Sequence, residues 1–249
     1  MTRTALIAAL AASLTLPAVA SAQGGPGFLF KQPKVSIGFR TGYALPRAGS
    51  DLFDFPRDSL TLRTRDFASP YLGGEVSFRV SERWDVALTV GWARSRAPSE
   101  YRNWVELDAN DVEQPIEQET TFQRVSWSLS GKYYFEDRGR SVGRFAWVPT
   151  RLVPFVGAGV GVVEYTFEQV GDFVDVDTFA IFSDRLKTTG TGTILHATAG
   201  ADLSLSRQFF VTGEAQYSFA RAEVGGNFDG FDRVDLAGLQ LLLGIAFRF

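Results

Sequence analysis

The chain has 249 residues, of which 45% are hydrophobic and 14% aromatic, so it contains enough apolar material for one ordered domain. Its 22 Phe and 25 Gly beside a single Met favour β-sheet over a helical bundle, since aromatic residues suit pleated surfaces and glycine suits turns and crowded strand faces. With no Cys, 1 His and a formal net charge of −3, we expect no disulfide, metal, cofactor or nucleic-acid partner.

The first 22 residues have the features of a secretory signal peptide. Arg3 gives a positive start, residues 5–16 are apolar, and Ala20-Ser21-Ala22 fits the small-residue cleavage rule. An uncleaved anchor helix is the weaker alternative, because the apolar stretch is shorter than the roughly 20 residues that a membrane span needs. We therefore expect residues 1–22 to be removed and residues 23–33 to form an N-terminal periplasmic segment.

Beyond this segment, eight stretches alternate between two unlike faces, which is the period of a β-strand. In residues 34–44, Val35, Ile37 and Phe39 share one face, and Gly38 and Arg40 share the other. The other stretches cover residues 72–80, 84–95, 124–135, 154–167, 195–205, 209–219 and 239–249. Glu164 breaks the apolar face of residues 154–167, and we interpret it as a strand end or a bulge.

The polarity of the two strand faces indicates whether the strands belong to a soluble protein or to a membrane protein. A soluble sandwich also alternates, but here the large apolar residues fill one face almost without interruption while small or charged residues fill the other. A transmembrane barrel has an apolar exterior, a polar interior and strands of about 9 to 11 residues. The sequence therefore predicts an all-β fold, an eight-stranded antiparallel up-and-down transmembrane β-barrel formed by residues 34–249.

The connectors alternate in length, as expected for short periplasmic turns and long external loops. Residues 45–70, 97–121, 168–192 and 223–234 form long polar connectors, whereas residues 81–83 and 206–208 form tight turns. The inner connector at residues 136–150 is longer than expected and contains an apolar stretch at residues 145–148. A barrel of ten strands is therefore an alternative.

The inward faces carry a set of charged residues that we interpret as an interior charge network. Eight strands leave room for little beyond packed side chains, and buried charges must find partners, so we expect a plugged interior. The turn at residues 81–83 places Arg79 opposite Asp85, which predicts a cross-strand ion pair. A charge relay or gated pathway is the alternative. The network consists of Arg40, Glu75, Arg79, Asp85, Arg124, Lys132, Asp202, Glu214 and Arg248.

Three further features could carry chemistry. His196 should lie near Gln216 or Ser218 with Glu214 beside it, which suggests either an acyl hydrolase or, as we favour, a hydrogen-bonding interior residue. The second external loop is acidic, and we favour a solvated loop over a cation site because its spacing is not that of an EF-hand. The external aromatics could serve adhesion or pack the loops as strand extensions. The acids are Glu100, Glu106, Asp108, Asp111, Glu113, Glu117 and Glu119; the aromatics are Tyr101, Trp104, Phe173, Phe179 and Phe182.

The chain resembles the small eight-stranded bacterial outer-membrane β-barrel proteins, the OmpA transmembrane-domain and OmpW-like group. The resemblance covers residues 34–249 and rests on the alternation, the Gly-rich segment 154–161, the Glu-Ala-Gln-Tyr segment 214–217 and the last strand. Members of that group end in an aromatic residue preceded by alternating apolar residues, as Leu241, Leu243, Ile245, Phe247 and Phe249 do here. In that group the barrel-assembly machinery reads this signal, and its physical sense is strand addition.

The resemblance implies an outer-membrane location among outer-membrane lipid and lipopolysaccharide, and a non-enzymatic role in membrane structure or surface interaction. We expect a monomer. The OmpW-like resemblance implies an alternative, a conduit or binding site for a small apolar molecule through a lateral opening, for which Glu164 marks a place. A lipid-A-modifying acyl hydrolase is a remote third alternative, because Thr198 stands where the familiar His-x-Ser pattern has Ser.

Overall fold

The computed structural model describes residues 27–108, 110–175 and 178–249, so the predicted signal peptide lies outside the described residues. In chain order the strands are β1 (Val35–Pro46), β2 (Ser69–Arg79), β3 (Trp84–Leu107), β4 (Glu113–Tyr134), β5 (Gly139–Val142), β6 (Ala146–Pro149), β7 (Leu152–Val174), β8 (Ile181–Ser204), β9 (Phe209–Ala222), β10 (Val234–Asp235) and β11 (Gly238–Arg248).

Eight of these strands close an antiparallel ring. The hydrogen-bonded order is β1, β2, β3, β4, β7, β8, β9 and β11, and β11 pairs with β1 to complete the barrel. Strand β10 adds two residues to the outer end of β9. The apolar stretch at residues 145–148 belongs to a separate hairpin of β5 and β6, so the ten-stranded alternative is wrong and the predicted fold class is confirmed.

The exterior of the ring is an apolar belt with a sharp outer edge. On β3 every second residue from Trp84 to Trp92 is apolar and exposed, the residues between them face inward, and the next outward residue is Arg94. On β7 the outward residues are apolar from Leu152 to Val162, and the next is Glu164. A tilted strand of about 11 residues spans an apolar band of about 25 Å, which matches the hydrocarbon region of an outer membrane.

Glu164 therefore marks the edge of the belt. Its outward position continues an unbroken register, with Val125 of β4 on one side and Thr191 of β8 on the other. The prediction of a strand end or bulge at Glu164 is wrong, because a charged residue becomes compatible with the strand exterior once the strand has left the hydrocarbon.

Four strands continue far beyond the belt. Strands β3, β4, β7 and β8 have 24, 22, 23 and 24 residues, whereas β1, β2 and β11 have 12, 11 and 11. The expected loops at residues 97–121 and 168–192 are mostly the outer halves of two long hairpins, which pair with each other from Gln118 and Gly171 downward. The alternative in which these segments extend the strands is the one that the structure shows.

The remaining two outer connectors fold against this extended wall. Residues 47–68 contain helix α1 (Asp51–Ser59) and a 3-10 turn (Thr64–Phe67), and residues 223–237 contain a second 3-10 turn (Gly226–Phe228) and β10. In the described part of the chain, no helix has both the length and the apolar character needed to cross a membrane.

An apolar cluster, the outer core, fills the space between these connectors and the wall. Phe53 of α1 lies at its centre and makes edge-to-face contacts with Phe67, Phe122 and Phe167 at ring distances of 5.0, 5.1 and 5.7 Å. Such contacts add to the stabilisation from apolar burial. The outer core comprises Ala48, Leu52, Phe53, Leu60, Leu62, Phe67, Ala97, Phe122, Val163, Tyr165, Phe167, Ile194, Ala220, Ala222, Phe228, Val234 and Leu236.

The hairpin of β5 and β6 covers the other end of the barrel. Trp147 of β6 is only 1% exposed, and its backbone N–H and C=O both bond to Leu29 at 2.8 Å. Phe28 and Phe30 beside Leu29 and Phe145 of the hairpin tip are exposed. The N-terminal segment and the hairpin thus meet beneath the inner mouth of the barrel.

Candidate functional site: the charged lumen

Four charged residues from four strands meet in the middle of the lumen and form the central cluster. Arg40 of β1 donates hydrogen bonds to Glu75 of β2 and, at 3.1 Å, to Glu214 of β9. Lys132 of β4 donates to both carboxylate oxygens of Glu75, at 2.7 and 2.9 Å, and its Nζ lies 3.7 Å from Glu214. Two cations and two carboxylates make the cluster neutral.

The central cluster is largely sealed from solvent. Lys132 is 3% exposed and Glu214 is 7% exposed, so their charges have left water and depend on one another. The hydroxyl of Thr89 adds a hydrogen bond to Glu75 at 3.3 Å. These ion pairs and the additional bond link side chains of β1, β2, β3, β4 and β9 across the lumen.

Glycines on the inward face make room for larger side chains. Gly73 and Gly91 lie opposite each other on β2 and β3, and the ring of Tyr71 lies over both. A Cβ at Gly91 would lie 2.2 Å from the Tyr71 hydroxyl oxygen, and a Cβ at Gly159 would lie 2.6 Å from the ring of His196. The inward face is therefore rich in small residues because rings from neighbouring strands occupy the space above them.

At the inner mouth the predicted register holds but the predicted ion pair does not form. Arg79 and Asp85 are opposite each other as expected. Asp85 instead pairs with Arg138, which comes from the connector after β4, and accepts a bond from Ser77 at 3.1 Å. The Arg79 guanidinium lies over the ring of Trp147, 5.3 Å from its centre. The alternating pattern of the sequence did not indicate Arg138 or Trp147, because neither lies on a barrel strand.

The other interior charges use hydroxyl and aromatic partners. Asp202 accepts bonds from Thr212 at 2.7 Å and Tyr134 at 3.2 Å. Arg248 donates to Ser204 at 2.8 Å and lies over the Phe210 ring.

Arg124 is the interior charge nearest the outer core. It reaches the backbone oxygen of Leu236 at 3.5 Å and lies over the Phe122 ring. The nine predicted charges therefore do not form one network, because only Arg40, Glu75, Lys132 and Glu214 come together as the central cluster.

His196 faces the lumen and pairs with a serine. Its Nε2 lies 2.9 Å from Oγ of Ser130, and Ser218 is its register partner on β9. Its Nδ1 has no hydrogen-bond partner among the described residues, so no carboxylate orients the imidazole as in a catalytic triad. An acyl chain of a membrane lipid would lie on the opposite side of the wall. This arrangement gives the acyl-hydrolase alternative no support.

The barrel wall is closed at the place where a lateral opening was considered. Strand β7 pairs without interruption with β4 and with β8 on both sides of Glu164. Two cavities along the lumen measure about 30 Å³ near Arg79 and about 20 Å³ near Arg124. Each holds one or two water molecules at most, by the usual size of about 10 to 15 Å³ per water. The apolar conduit has no support from this wall or these cavities.

The acidic outer hairpin is mostly solvated. The backbone N–H groups of Val112 and Asn110 bond to the Asp108 carboxyl at 3.0 and 2.7 Å and lower its pKa. Glu119 forms an exposed ion pair with Arg96. Across the described ranges, no group of three or more His, Cys, Asp or Glu residues is arranged to hold a metal ion.

The ends of the two long hairpins carry an exposed apolar surface, the tip patch. The rings of Trp104, on the hairpin of β3 and β4, and Phe179, on the hairpin of β7 and β8, are 5.4 Å apart. Phe182 stacks on the buried Phe173 at a ring distance of 6.0 Å. Tyr101 instead packs against the outer core. The tip patch consists of Trp104, Val105, Leu107, Val112, Phe179 and Phe182.

A cleft of about 510 Å³, the outer cleft, opens on the barrel exterior at the edge of the belt. Arg47, Arg221 and Arg233 line it above the apolar side chains of Leu195 and Phe219. Arg233 pairs with Glu223 at 2.9 Å and Arg47 lies 3.7 Å from Asp235, whereas Arg221 makes no salt bridge to any described residue. The cleft therefore combines cationic and apolar surface.

No protein-family model and no curated protein matches the chain. Among solved structures, Neisserial surface protein A matches at 13% identity and a TM-score of 0.46, covering 91% of this chain and 100% of that one. OprG from Pseudomonas aeruginosa matches at 14% and 0.43, covering 89% and 99%. Ail, the attachment invasion locus protein of Yersinia pestis, matches at 11% and 0.42, covering 88% and 100%.

The strand register and the belt carry the fold assignment by themselves. The chain has the fold of a small outer-membrane β-barrel: an eight-stranded antiparallel ring with a lipid-facing apolar belt, a polar lumen and unequal connectors at its two ends. A closed barrel can lie in a membrane because all its backbone N–H and C=O groups are hydrogen-bonded between strands. With its apolar belt facing lipid, the protein is located in the outer membrane.

Proposed function

We propose that this chain is a non-enzymatic integral outer-membrane protein that serves membrane structure and surface interaction, with a plugged lumen. The observation that carries the proposal is the central cluster, in which Arg40, Glu75, Lys132 and Glu214 join four strands across the middle of the barrel. The outer core lies above it, and Trp147 lies below it. Three successive layers thus oppose the passage of ions or solutes.

Conductance in planar lipid bilayers tests the plugged lumen. The folded barrel, inserted from detergent and shown to be folded by its heat-dependent electrophoretic mobility, is expected to give no steady open channel. A porin inserted under the same conditions is the positive control. A steady conductance that disappears when the barrel is heat-denatured before insertion would show that the lumen is open and would contradict the proposal.

Surface interaction is assigned to the tip patch. Its exposed rings, Trp104 and Phe179, stand among acidic side chains such as Glu106, Asp108 and Asp111. Exposed apolar patches with a polar rim commonly mark contact sites, and the acidic rim favours a partner whose surface is basic as well as apolar.

Bacteria that display the protein offer a direct test of this surface. Cells expressing the wild type should adhere to amine-modified polystyrene more than cells expressing the double variant Trp104→Ser/Phe179→Ser, and carboxylate-modified polystyrene should not distinguish them. The matched control is Phe145→Ser, which removes an exposed aromatic from the inner side. Equal adhesion of wild type and double variant would contradict a role for the tip patch.

The outer cleft is the proposed contact with lipopolysaccharide. Phosphate groups of the outer leaflet would meet Arg221, Arg47 and Arg233, and acyl chains would run along Leu195 and Phe219. Arg221→Gln should lower the amount of lipopolysaccharide that copurifies, measured by native mass spectrometry. Arg94→Gln, at the same edge of the belt on β3, is the control. Loss of equal amounts from both variants would contradict a specific cleft.

The N-terminal and C-terminal segments complete the proposal. Removal of residues 1–22 stays part of the proposal, and the contact of Leu29 with the hairpin under the inner mouth supports a periplasmic position for residues 23–33. The last strand, with Leu241, Leu243, Ile245 and Phe247 facing outward before Phe249, is the proposed signal for the barrel-assembly machinery. Phe249→Ser should slow insertion by that machinery in reconstituted vesicles, whereas Phe145→Ser should not.

A further inference from the structure

The inner mouth carries an excess of positive charge around a small cavity. The cavity, of about 30 Å³, is lined by Lys34, Arg79, Arg138 and Arg248 but by only two carboxylates, Asp85 and Asp202. Aromatic and hydroxyl groups, including Tyr134, Ser36 and Ser77, complete the lining. Four cations thus face two anions in a partly buried space, where like charges repel strongly.

Both carboxylates are already occupied by other groups. Asp85 pairs with Arg138 and accepts a bond from Ser77. Asp202 accepts bonds from Thr212 and Tyr134.

Arg79 and Arg248 therefore have no carboxylate partner within salt-bridge distance among the described residues. Asp85, the predicted partner of Arg79, is instead paired with Arg138 of the connector after β4.

The same two arginines have buried N–H groups without acceptors. Nε and Nη1 of Arg79 and Nε of Arg248 find no hydrogen-bond partner within the described part of the chain, and neither does Nε of Arg138. Buried donors of this kind carry a substantial desolvation cost unless an acceptor is supplied. These four donors belong to three guanidinium groups whose side chains line one cavity.

Trp147 holds these arginines at the mouth. The Arg79 and Arg248 guanidinium carbons lie 5.3 and 5.8 Å from the centre of its ring. Contact with an aromatic face stabilises a cation but accepts none of its in-plane N–H bonds. Trp147 itself is buried and is fixed in place by its backbone pairing with Leu29.

We propose that the inner mouth is a binding site for a small monovalent anion of the size of chloride, held by Arg79, Arg248 and Arg138. The volume of about 30 Å³ admits a monatomic anion. The bound anion supplies the acceptors that the guanidinium N–H groups lack and reduces their mutual repulsion. It thereby stabilises the closed arrangement of Trp147 against the mouth.

Bromide, which replaces chloride and scatters anomalously, tests the site in the wild-type protein. Crystals of the mature barrel grown in detergent and soaked in sodium bromide should show an anomalous peak within hydrogen-bond distance of Arg79 and Arg248. An absent peak at the mouth, in crystals that show bromide elsewhere on the protein, would overturn the proposal.

A thermal stability measurement tests the energetic consequence. At constant ionic strength, replacing sodium gluconate by sodium chloride should raise the melting temperature of the wild type by about 3 °C or more, in a saturable manner. Arg79→Met should abolish the chloride-dependent rise. The control Arg94→Met, which removes an exposed arginine of β3 at the outer edge of the belt, should retain it.

An equal melting temperature in both salts for the wild type would overturn the proposal, and so would an unchanged chloride response in folded Arg79→Met. If Arg79→Met does not fold, the bromide peak in the wild type decides the matter. Conductance, which tests the plugged lumen, is independent of these results, so the two proposals can fail separately.

Discussion

Glu75 is the residue whose removal should damage the lumen most. It accepts both short hydrogen bonds from Lys132, at 2.7 and 2.9 Å, and a further bond from Arg40. Glu75→Gln keeps the volume of the side chain but removes its charge. The central cluster then contains two cations and the single carboxylate of Glu214, whose distance to Lys132 is 3.7 Å.

The expected cost follows from the burial of these partners. Breaking a buried ion pair by removing one member typically costs about 3 to 5 kcal/mol, because the remaining charge has neither water nor a partner. We expect Glu75→Gln to lie in that range. Adding Lys132→Met, which removes the surplus cation and leaves Arg40 with Glu214, should recover part of the loss, and the double-mutant cycle measures the coupling.

Urea unfolding of the barrel in lipid vesicles, followed by the fluorescence of its 5 Trp, measures these differences. The matched control is Glu119→Gln, which removes the acid of the exposed pair with Arg96 and should cost less than about 1 kcal/mol. If Glu75→Gln and Glu119→Gln destabilise the barrel equally, the central cluster does not stabilise the closed lumen.

Three further variants test the belt, the inward glycines and the outer core. Leu243→Arg, at a 64% exposed position in the belt, should cost about 2 to 4 kcal/mol in vesicle-based unfolding, while Leu107→Arg, at a 59% exposed tip position, should be close to neutral; equal costs would contradict the assigned belt. Gly91→Val should cost about 1 to 3 kcal/mol by displacing the Tyr71 ring, and an additional Tyr71→Ala should relieve part of it in the same assay; no relief would contradict the ring contact. Phe53→Ala should accelerate proteolysis of the outer connectors without loss of the heat-dependent mobility of the barrel, since a cavity of this kind costs about 3 to 5 kcal/mol; unchanged proteolysis would contradict the outer core.

The membrane part of the fold could be predicted because lipid imposes a strong contrast between the two faces of a strand. Alternation from Trp84 to Trp92 located the lower half of β3, and the tight turn before it gave the register that opposes Arg79 and Asp85. Above the belt the contrast fades, because the outward residues are polar and the inward ones include Ser95 and Ser99. The sequence therefore did not distinguish the upper strands from loops.

The partners of the interior charges depend on the closure of the ring, which local pattern does not encode. Arg40 and Glu214 are 174 residues apart, and both reach the same cluster only because β11 joins β1. The inner mouth depends on Arg138 and Trp147, which lie in a connector with no strand periodicity. The alternation of residues along each strand predicted which charged side chains face the lumen. Their ion-pair partners could not be predicted, because they depend on how the ring of strands closes.

The edge of the belt explains why the lumen changes character along its length. Within the membrane the exterior of β7 is apolar, and its inward residues include Gly157, Gly159 and Gly161, which leave space for polar groups and rings from neighbouring strands. Beyond Glu164 the exterior is wet, and the inward residues become Tyr165 and Phe167. A wall with water outside is stabilised by an apolar interior, whereas a wall with lipid outside already has its apolar face covered. The same strands therefore enclose ion pairs below that edge and a hydrophobic core above it.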